Sequence, residues 1–94
     1  MTGFDFEWHE DKNARNIAKH GIDFEDAIAI FDSPLFIRYG NPGGEERFVA
    51  IGMMADVEIA VVYTRRGSTI RLISARRARR NERQAYHQAF ARRP

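Results

Sequence analysis

Arginine dominates the last third of the chain. Residues 65–94 contain ten arginines, no lysine and one acidic residue, Glu82, whereas residues 1–64 contain five basic and twelve acidic residues. Because the planar guanidinium group pairs bidentately with phosphate and stacks on bases, this concentration is typical of a surface for nucleic acid or for an acidic partner. A solvated helix face is the simpler explanation of a charged run, but this one is nearly all arginine.

A few acid–base groups accompany the arginines and fit the cleavage of RNA without a metal. In that reaction the 2′-OH attacks the neighbouring phosphate, so a site needs a base, an acid for the leaving oxygen and cations on the phosphate. His20 has the position to transfer protons, although the helix C-terminus expected there also suits a charged cap. Glu46, at the start of a strand, is a candidate base; the alternative is a solvated carboxylate at a strand end.

The arginines that flank the last strand and the last helix are the candidate phosphate ligands. Arg76 follows the last expected strand and is placed where a sheet end meets a loop. Its neighbours Arg77, Arg79, Arg80 and Arg83 have the spacing to clamp a nucleic-acid backbone, or else to form a solvated helix face. Tyr86 lies on the apolar side of that helix, which favours a place in the core over a catalytic role.

Composition excludes several other classes of site. The 94 residues include no cysteine, which rules out disulfides and thiolate metal sites and agrees with a reducing cytoplasm. The three histidines are isolated in the sequence, so we expect neither a metal nor another cofactor. The glycines between Gly40 and Gly44 lack the lysine and helix of a phosphate-binding loop. The N-terminus has no apolar signal region, and no apolar run approaches the roughly 20 residues that span a membrane.

The periodicity predicts an α+β domain. Phe4, Phe6 and Trp8 alternate with acidic residues as in a strand with one buried face. A helix should follow and end at Gly21, and a second should start with Asp23 as its N-cap and end near Asp32, ahead of Pro34. Further strands are expected over 35–39, 48–54, 59–64 and 70–75, and a last helix from about 78 to 90.

The resulting order is β-α-α-β-β-β-β-α, with a mostly antiparallel sheet and a basic C-terminal helix. We expect residues 1–94 to form a single domain, because the length is close to that of a typical domain. The short connections between the last three strands predict hairpins.

Two short motifs stand out along this framework, Lys19-His20-Gly21 and Ile73-Ser74-Ala75-Arg76. The surrounding segments that belong with them are residues 6–8, 12, 16, 22–27, 31–34, 45–48, 51–52, 61–64, 70–72 and 82–83. Together, over residues 4–86, the sequence resembles the BrnT-type toxins of bacterial toxin–antitoxin pairs. Relatives often have threonine three residues before the glutamate of the last helix, forming a capping box, whereas this chain has Arg79 there.

The resemblance implies a RelE-like ribonuclease fold and an activity that blocks translation by cutting RNA in the cytoplasm. It also implies a cognate antitoxin with a ribbon-helix-helix DNA-binding part, and contact with operator DNA only through the toxin–antitoxin complex, which would repress its own operon. The positions it suggests as functional are His20, Glu46, Arg47, Arg76, Glu82 and Arg83. With the residue chemistry, we assign His20, Glu46, Arg76 and Arg83 to catalysis and Arg47, Arg77 and Arg80 to RNA binding.

Two alternatives use the same arginines. In one, the protein is a nucleic-acid-binding domain that holds phosphates without cutting a bond. In the other, the basic helix docks an acidic protein partner. The sequence alone does not separate these functions from a ribonuclease.

Overall fold

The computed structural model describes residues 4–90 as an α+β fold with one mixed sheet of five strands and three α-helices. The strands are β1 (Asp5–Glu7), β2 (Phe36–Gly40), β3 (Arg47–Met54), β4 (Val57–Arg66) and β5 (Thr69–Arg77). The α-helices are α1 (Glu10–His20), α2 (Phe24–Ala27) and α3 (Arg80–Phe90). Two short 3₁₀ segments, Ile28–Asp32 and Pro42–Gly44, lie between them.

The strand order across the sheet is β1-β5-β4-β3-β2. The strands β2 to β5 pair antiparallel with their neighbours, whereas β1 runs parallel to β5 and covers only residues 69–71 of it. Alternation in the sequence indicates a strand but not its partner, so the parallel pairing was not part of the expectation.

The sheet is covered on both faces. On one face, Ile22, Phe24, Ala27 and Ile30 pack with inward-pointing residues of β3, β4 and β5 to form the larger core. On the other face, Ala78 and Tyr86 pack against Ile51 and Ala60. We call this second side the α3 face. The burial of Tyr86 at 7% exposure confirms its place in the core.

The ends of the first two helices follow from local sequence. Gly21 adopts a left-handed conformation with φ 72° and ends α1, and its N–H donates to the carbonyl of Ile17. Asp23 caps α2 by accepting a hydrogen bond from the N–H of Glu25. Both expectations are confirmed. The second helix differs in kind: it is α-helical for four residues only and then continues as a 3₁₀ helix to Asp32, two residues before Pro34.

Both hairpins close with two-residue turns that need positive φ. Gly67 supplies φ 63° between β4 and β5, while Ala55 adopts φ 55° between β3 and β4. In β5 a bulge opposite Val62 and Tyr63 shifts the register by one residue. As a result, Leu72 and Ala75 both point into the larger core although they are three positions apart.

Candidate nucleic-acid interface

Helix α3 leaves part of its sheet face open. The strand register places Arg38, Val49, Val62 and Ser74 side by side on β2, β3, β4 and β5, and each is at least partly exposed. We call these four residues the cross-sheet row. With about 4.8 Å between neighbouring strands, the row is about 14 Å long. It forms a shallow floor with a basic cleft at each end.

The cleft at the β2 end lies between two arginines. Arg38 and Arg47 line it, with Val49 and Val62 on its floor and Tyr39 and Gly40 along β2, and its volume is about 310 Å³. Arg47 is held by Glu45, whose carboxylate oxygen accepts hydrogen bonds from Nε at 3.1 Å and from Nη2 at 2.9 Å. The cleft therefore combines an apolar floor with guanidinium donors.

The cleft at the β5 end is built by α1. Its volume is about 220 Å³ and its lining residues are Lys12, Arg15, Asn16, Lys19, His20, Ile73 and Ser74. The α1 residues recur every three or four positions and therefore share one side of the helix. Four of these five side chains are basic or protonatable, so this cleft is suited to an anion.

Asn16 fixes α1 against the sheet. Its side-chain amide donates to the carbonyl of Ala75 at 2.8 Å and accepts from the N–H of Ala75 at 3.0 Å, as a neighbouring strand would. The same Nδ2 also donates to the carbonyl of Ile22. Asn16 is 5% exposed, so these backbone groups are satisfied in a buried position. The amide thereby sets where His20 lies relative to β5.

The buried carboxylate of Glu82 connects α3 to Arg38, at one end of the cross-sheet row, and to Arg76 on β5. Glu82 accepts two hydrogen bonds from Arg76, at 2.8 and 2.9 Å, and one from Arg38 at 2.7 Å. Its side chain is 0% exposed, whereas those of Arg76 and Arg38 are 16% and 45% exposed. The hydrogen bonds from Arg76 are the largest cause that lowers the pKa of Glu82 to about 2. One carboxylate thus holds two guanidinium groups that lie on the same face of the sheet but come from different strands, β2 and β5.

Glu82 also starts α3. Its Oε1 accepts a hydrogen bond from the backbone N–H of Arg79 at 2.7 Å, which is one half of a capping box. The other half would need a side-chain acceptor at position 79, and arginine has none. Arg83 adds a hydrogen bond to the carbonyl of Ala78 at 2.6 Å. The helix therefore begins at Arg80 although the residue before it is not a capping residue.

The predicted site residues fall into separate groups. Arg76 lies on the same face of β5 as Ser74, and its guanidinium is engaged by Glu82. Arg77 and Arg80 are exposed at the end of β5 and the start of α3. His20 lines the α1 cleft with Ser74, while Arg47 lines the opposite cleft.

Glu46 is not close to His20. It is exposed and precedes β3, three residues before Val49, and Val49 is two strands away from Ser74. By strand geometry, the Cα atoms of Glu46 and Ser74 are about 14 Å apart. His20 lines the α1 cleft with Ser74, and Glu46 does not line that cleft, so the structure does not bring the two candidate acid–base groups together there.

Sequence reasoning gave no functional role to Arg38 or to the basic residues of α1 other than His20. Arg38 is the one basic residue in β2, and its partner Glu82 is 44 positions away. In α1, the signal was available: Lys12, Arg15 and Lys19 recur with helical spacing on the side that carries His20.

Within residues 4–90, no three or more histidine, aspartate and glutamate side chains are grouped to hold a metal ion. No helix in this range has the length and apolar character to cross a membrane.

A family model described as "Ribonuclease toxin, BrnT, of type II toxin-antitoxin system" matches residues 8–82. This range includes both clefts, the cross-sheet row and Glu82. No curated individual protein matches the chain.

Proposed function

The chain belongs to the BrnT ribonuclease toxins of type II toxin–antitoxin systems, and we propose that it cuts RNA laid across the α3 face. The observation that carries this proposal is the cross-sheet row, an open floor with basic residues at both ends. Its length of about 14 Å and its donors suit a single strand rather than a small metabolite. We also propose that the fold is that of a RelE-like ribonuclease and that the protein acts in the bacterial cytoplasm.

In this proposal cleavage takes place at the α1 end of the row. His20 transfers a proton there, and Lys12, Arg15 and Lys19 neutralise the phosphate that the 2′-OH attacks. Arg76 and Arg83 are the arginines that we assign to catalysis, while Arg77 and Arg80 hold the strand at the end of β5 and the start of α3. Glu46, our other candidate base, lies beyond the opposite end with Arg47, so its contribution would be to the flanking strand.

An RNA-cleavage assay without metal ions tests the proposed ribonuclease activity directly. Purified protein should cut RNA in the presence of EDTA, leave a 2′,3′-cyclic phosphate and spare DNA of the same sequence, because DNA lacks the attacking 2′-OH. Binding of RNA without cleavage would favour a simple binding domain instead. Activity that EDTA abolishes and Mg²⁺ restores would contradict the mechanism.

His20 is the sharpest probe of the catalytic assignment. His20→Ala should lose cleavage while the protein stays folded, since the helix is terminated by the left-handed backbone of Gly21 and not by the His20 side chain. Arg76→Ala is less informative, because it also removes two hydrogen bonds from the buried Glu82. Retained cleavage in a folded His20→Ala protein would exclude His20 from proton transfer.

The biological part of the proposal concerns the antitoxin. We propose a ribbon-helix-helix antitoxin that blocks the toxin and with it represses their shared operon, so that operator DNA is contacted only through the complex. Expression of this chain alone should arrest growth and lower translation, and co-expression of the antitoxin should restore both. Normal growth at confirmed expression of the folded protein would count against a toxin.

A further inference from the structure

The β2-end cleft has the size and chemistry of a subsite for one nucleobase, and we propose that it binds a guanine of the RNA strand. This inference rests on the proposed function, since it places RNA across the α3 face. It goes further by assigning a base preference to a cleft that lies away from the candidate proton-transfer group His20.

The shape of the cleft fits a planar base. Its volume of about 310 Å³ is at the small end of the usual range for ligand pockets. Val49 and Val62 form an apolar floor on which a base can lie. Gly40 shares a face of β2 with Arg38, because residues two apart in a strand point the same way, and it places no side chain at that end of the cleft.

The polar groups of the cleft are donors. Arg38 gives one hydrogen bond, from Nη2, to Glu82, and 45% of its side chain remains exposed. Arg47 uses Nε and Nη2 for Glu45, and its side chain is 40% exposed. Guanidinium has no acceptor, so a matching base must present acceptors. Guanine offers two adjacent ones, O6 and N7, whereas adenine pairs an acceptor with a donor.

Glu82 makes Arg38 a positioned donor and not a mobile one. The carboxylate is fully buried and is also fixed by Arg76 and by the N–H of Arg79. A guanidinium tied to such an anchor loses less freedom on binding, which favours planar, two-point recognition. Lysine at this position would keep the charge but not the fork.

Nucleotide binding by the full chain tests the proposal without any cleavage. We would titrate the purified protein with GMP, AMP, UMP, CMP and inorganic phosphate by calorimetry. GMP should bind more tightly than AMP by about 5- to 150-fold, the discrimination typical of one bidentate arginine–guanine pair. Arg38→Ala should remove this preference, and Arg38→Lys should restore it only in part. Arg65→Ala, which removes an exposed arginine from the opposite face of β4, is the matched control and should bind like the wild type.

Further outcomes decide between a base and a phosphate site. Equal affinity for the four nucleotides, or inorganic phosphate binding as tightly as GMP, would overturn the proposal. So would a GMP preference that persists in Arg38→Ala. If Arg38→Ala fails to fold, Gly40→Val provides the test: it narrows the cleft and should weaken GMP binding at least fivefold, and unchanged binding would contradict the site. RNA cleavage without a guanine preference would contradict this inference but not the ribonuclease activity. A GMP preference without any RNA cleavage would contradict the proposed ribonuclease.

Discussion

Among the single residues of the site, Glu82 connects the most parts of the molecule. Its carboxylate binds Arg76 of β5 and Arg38 of β2, and it caps the start of α3. Because the side chain is fully buried, each guanidinium compensates for the cost of removing the charge from water. A change at this position therefore acts on three elements at once.

We predict that Glu82→Gln destabilises the protein in a pH-dependent way. The folded pKa of about 2 is below the ordinary 4.5, so the charged carboxylate stabilises the fold above about pH 4.5. This stabilisation, on the order of 3 kcal/mol, should be lost as the pH falls from about 4.5 through 2. Urea unfolding of wild type and Glu82→Gln at pH 7, 4 and 3 should show a difference that shrinks with falling pH. A difference that is constant with pH would show that the charge of Glu82 is not responsible.

At the scale of secondary structure, the turn of the β3–β4 hairpin holds one residue in an unfavourable backbone conformation. Ala55 adopts φ 55° in its two-residue turn, a region that disfavours residues with a Cβ atom. In the corresponding turn of the next hairpin, Gly67 takes a similar φ of 63° without that cost. The turn at Ala55 is held by seven residue pairs of the β3–β4 ladder.

We predict that Ala55→Gly raises the free energy of unfolding by about 0.5–1 kcal/mol, because it relieves the left-handed conformation. Ala14→Gly is the matched control, since Ala14 is exposed inside α1, where glycine costs about 0.5–1 kcal/mol. Both variants can be compared by urea denaturation. If Ala55→Gly lowered stability as Ala14→Gly does, the turn would not be strained.

The sequence was sufficient to predict those elements whose boundaries depend on neighbouring residues alone. Gly21 and Asp23 mark helix ends through their own backbone and side-chain chemistry, and the apolar, β-branched segments mark β3 to β5 to within two residues at each end. Pairing over long separations was not readable. The parallel partner of β1 and the contact between Arg38 and Glu82 depend on which surfaces meet after folding. The candidate site was thus predicted as a set of basic residues and not as an arrangement.

At the scale of the whole molecule, the arrangement of charge matters more than the net charge of +2. Basic side chains of α1 and of β2 and β3 border the two clefts, and those of β5 and α3 continue along one side. Such a distribution attracts a polyanion to one face and makes binding sensitive to salt.

We predict that Arg80→Ala weakens RNA binding to a similar extent for all sequences. Arg80 is exposed at the start of α3, so its loss should remove one phosphate contact without disturbing the core. The slope of log affinity against log salt should fall by about 0.7–1. Fluorescence anisotropy with labelled RNA at several salt concentrations measures this slope, with Arg65→Ala, on the opposite face of β4, as the comparison. An unchanged slope would place Arg80 outside the interface.

The Asn16 amide has a consequence for how the protein behaves among other chains. Strand β1 covers only residues 69–71 of β5, and farther along, Asn16 occupies both backbone groups of Ala75. An uncovered sheet edge is a template on which a second polypeptide can add a strand and begin to aggregate. The Asn16 side chain fills this edge position but, unlike a strand, has no second set of backbone groups to pair with another chain. The hydrogen-bonded ladder therefore ends at that point. A single side-chain amide thereby blocks the addition of further strands to this part of β5.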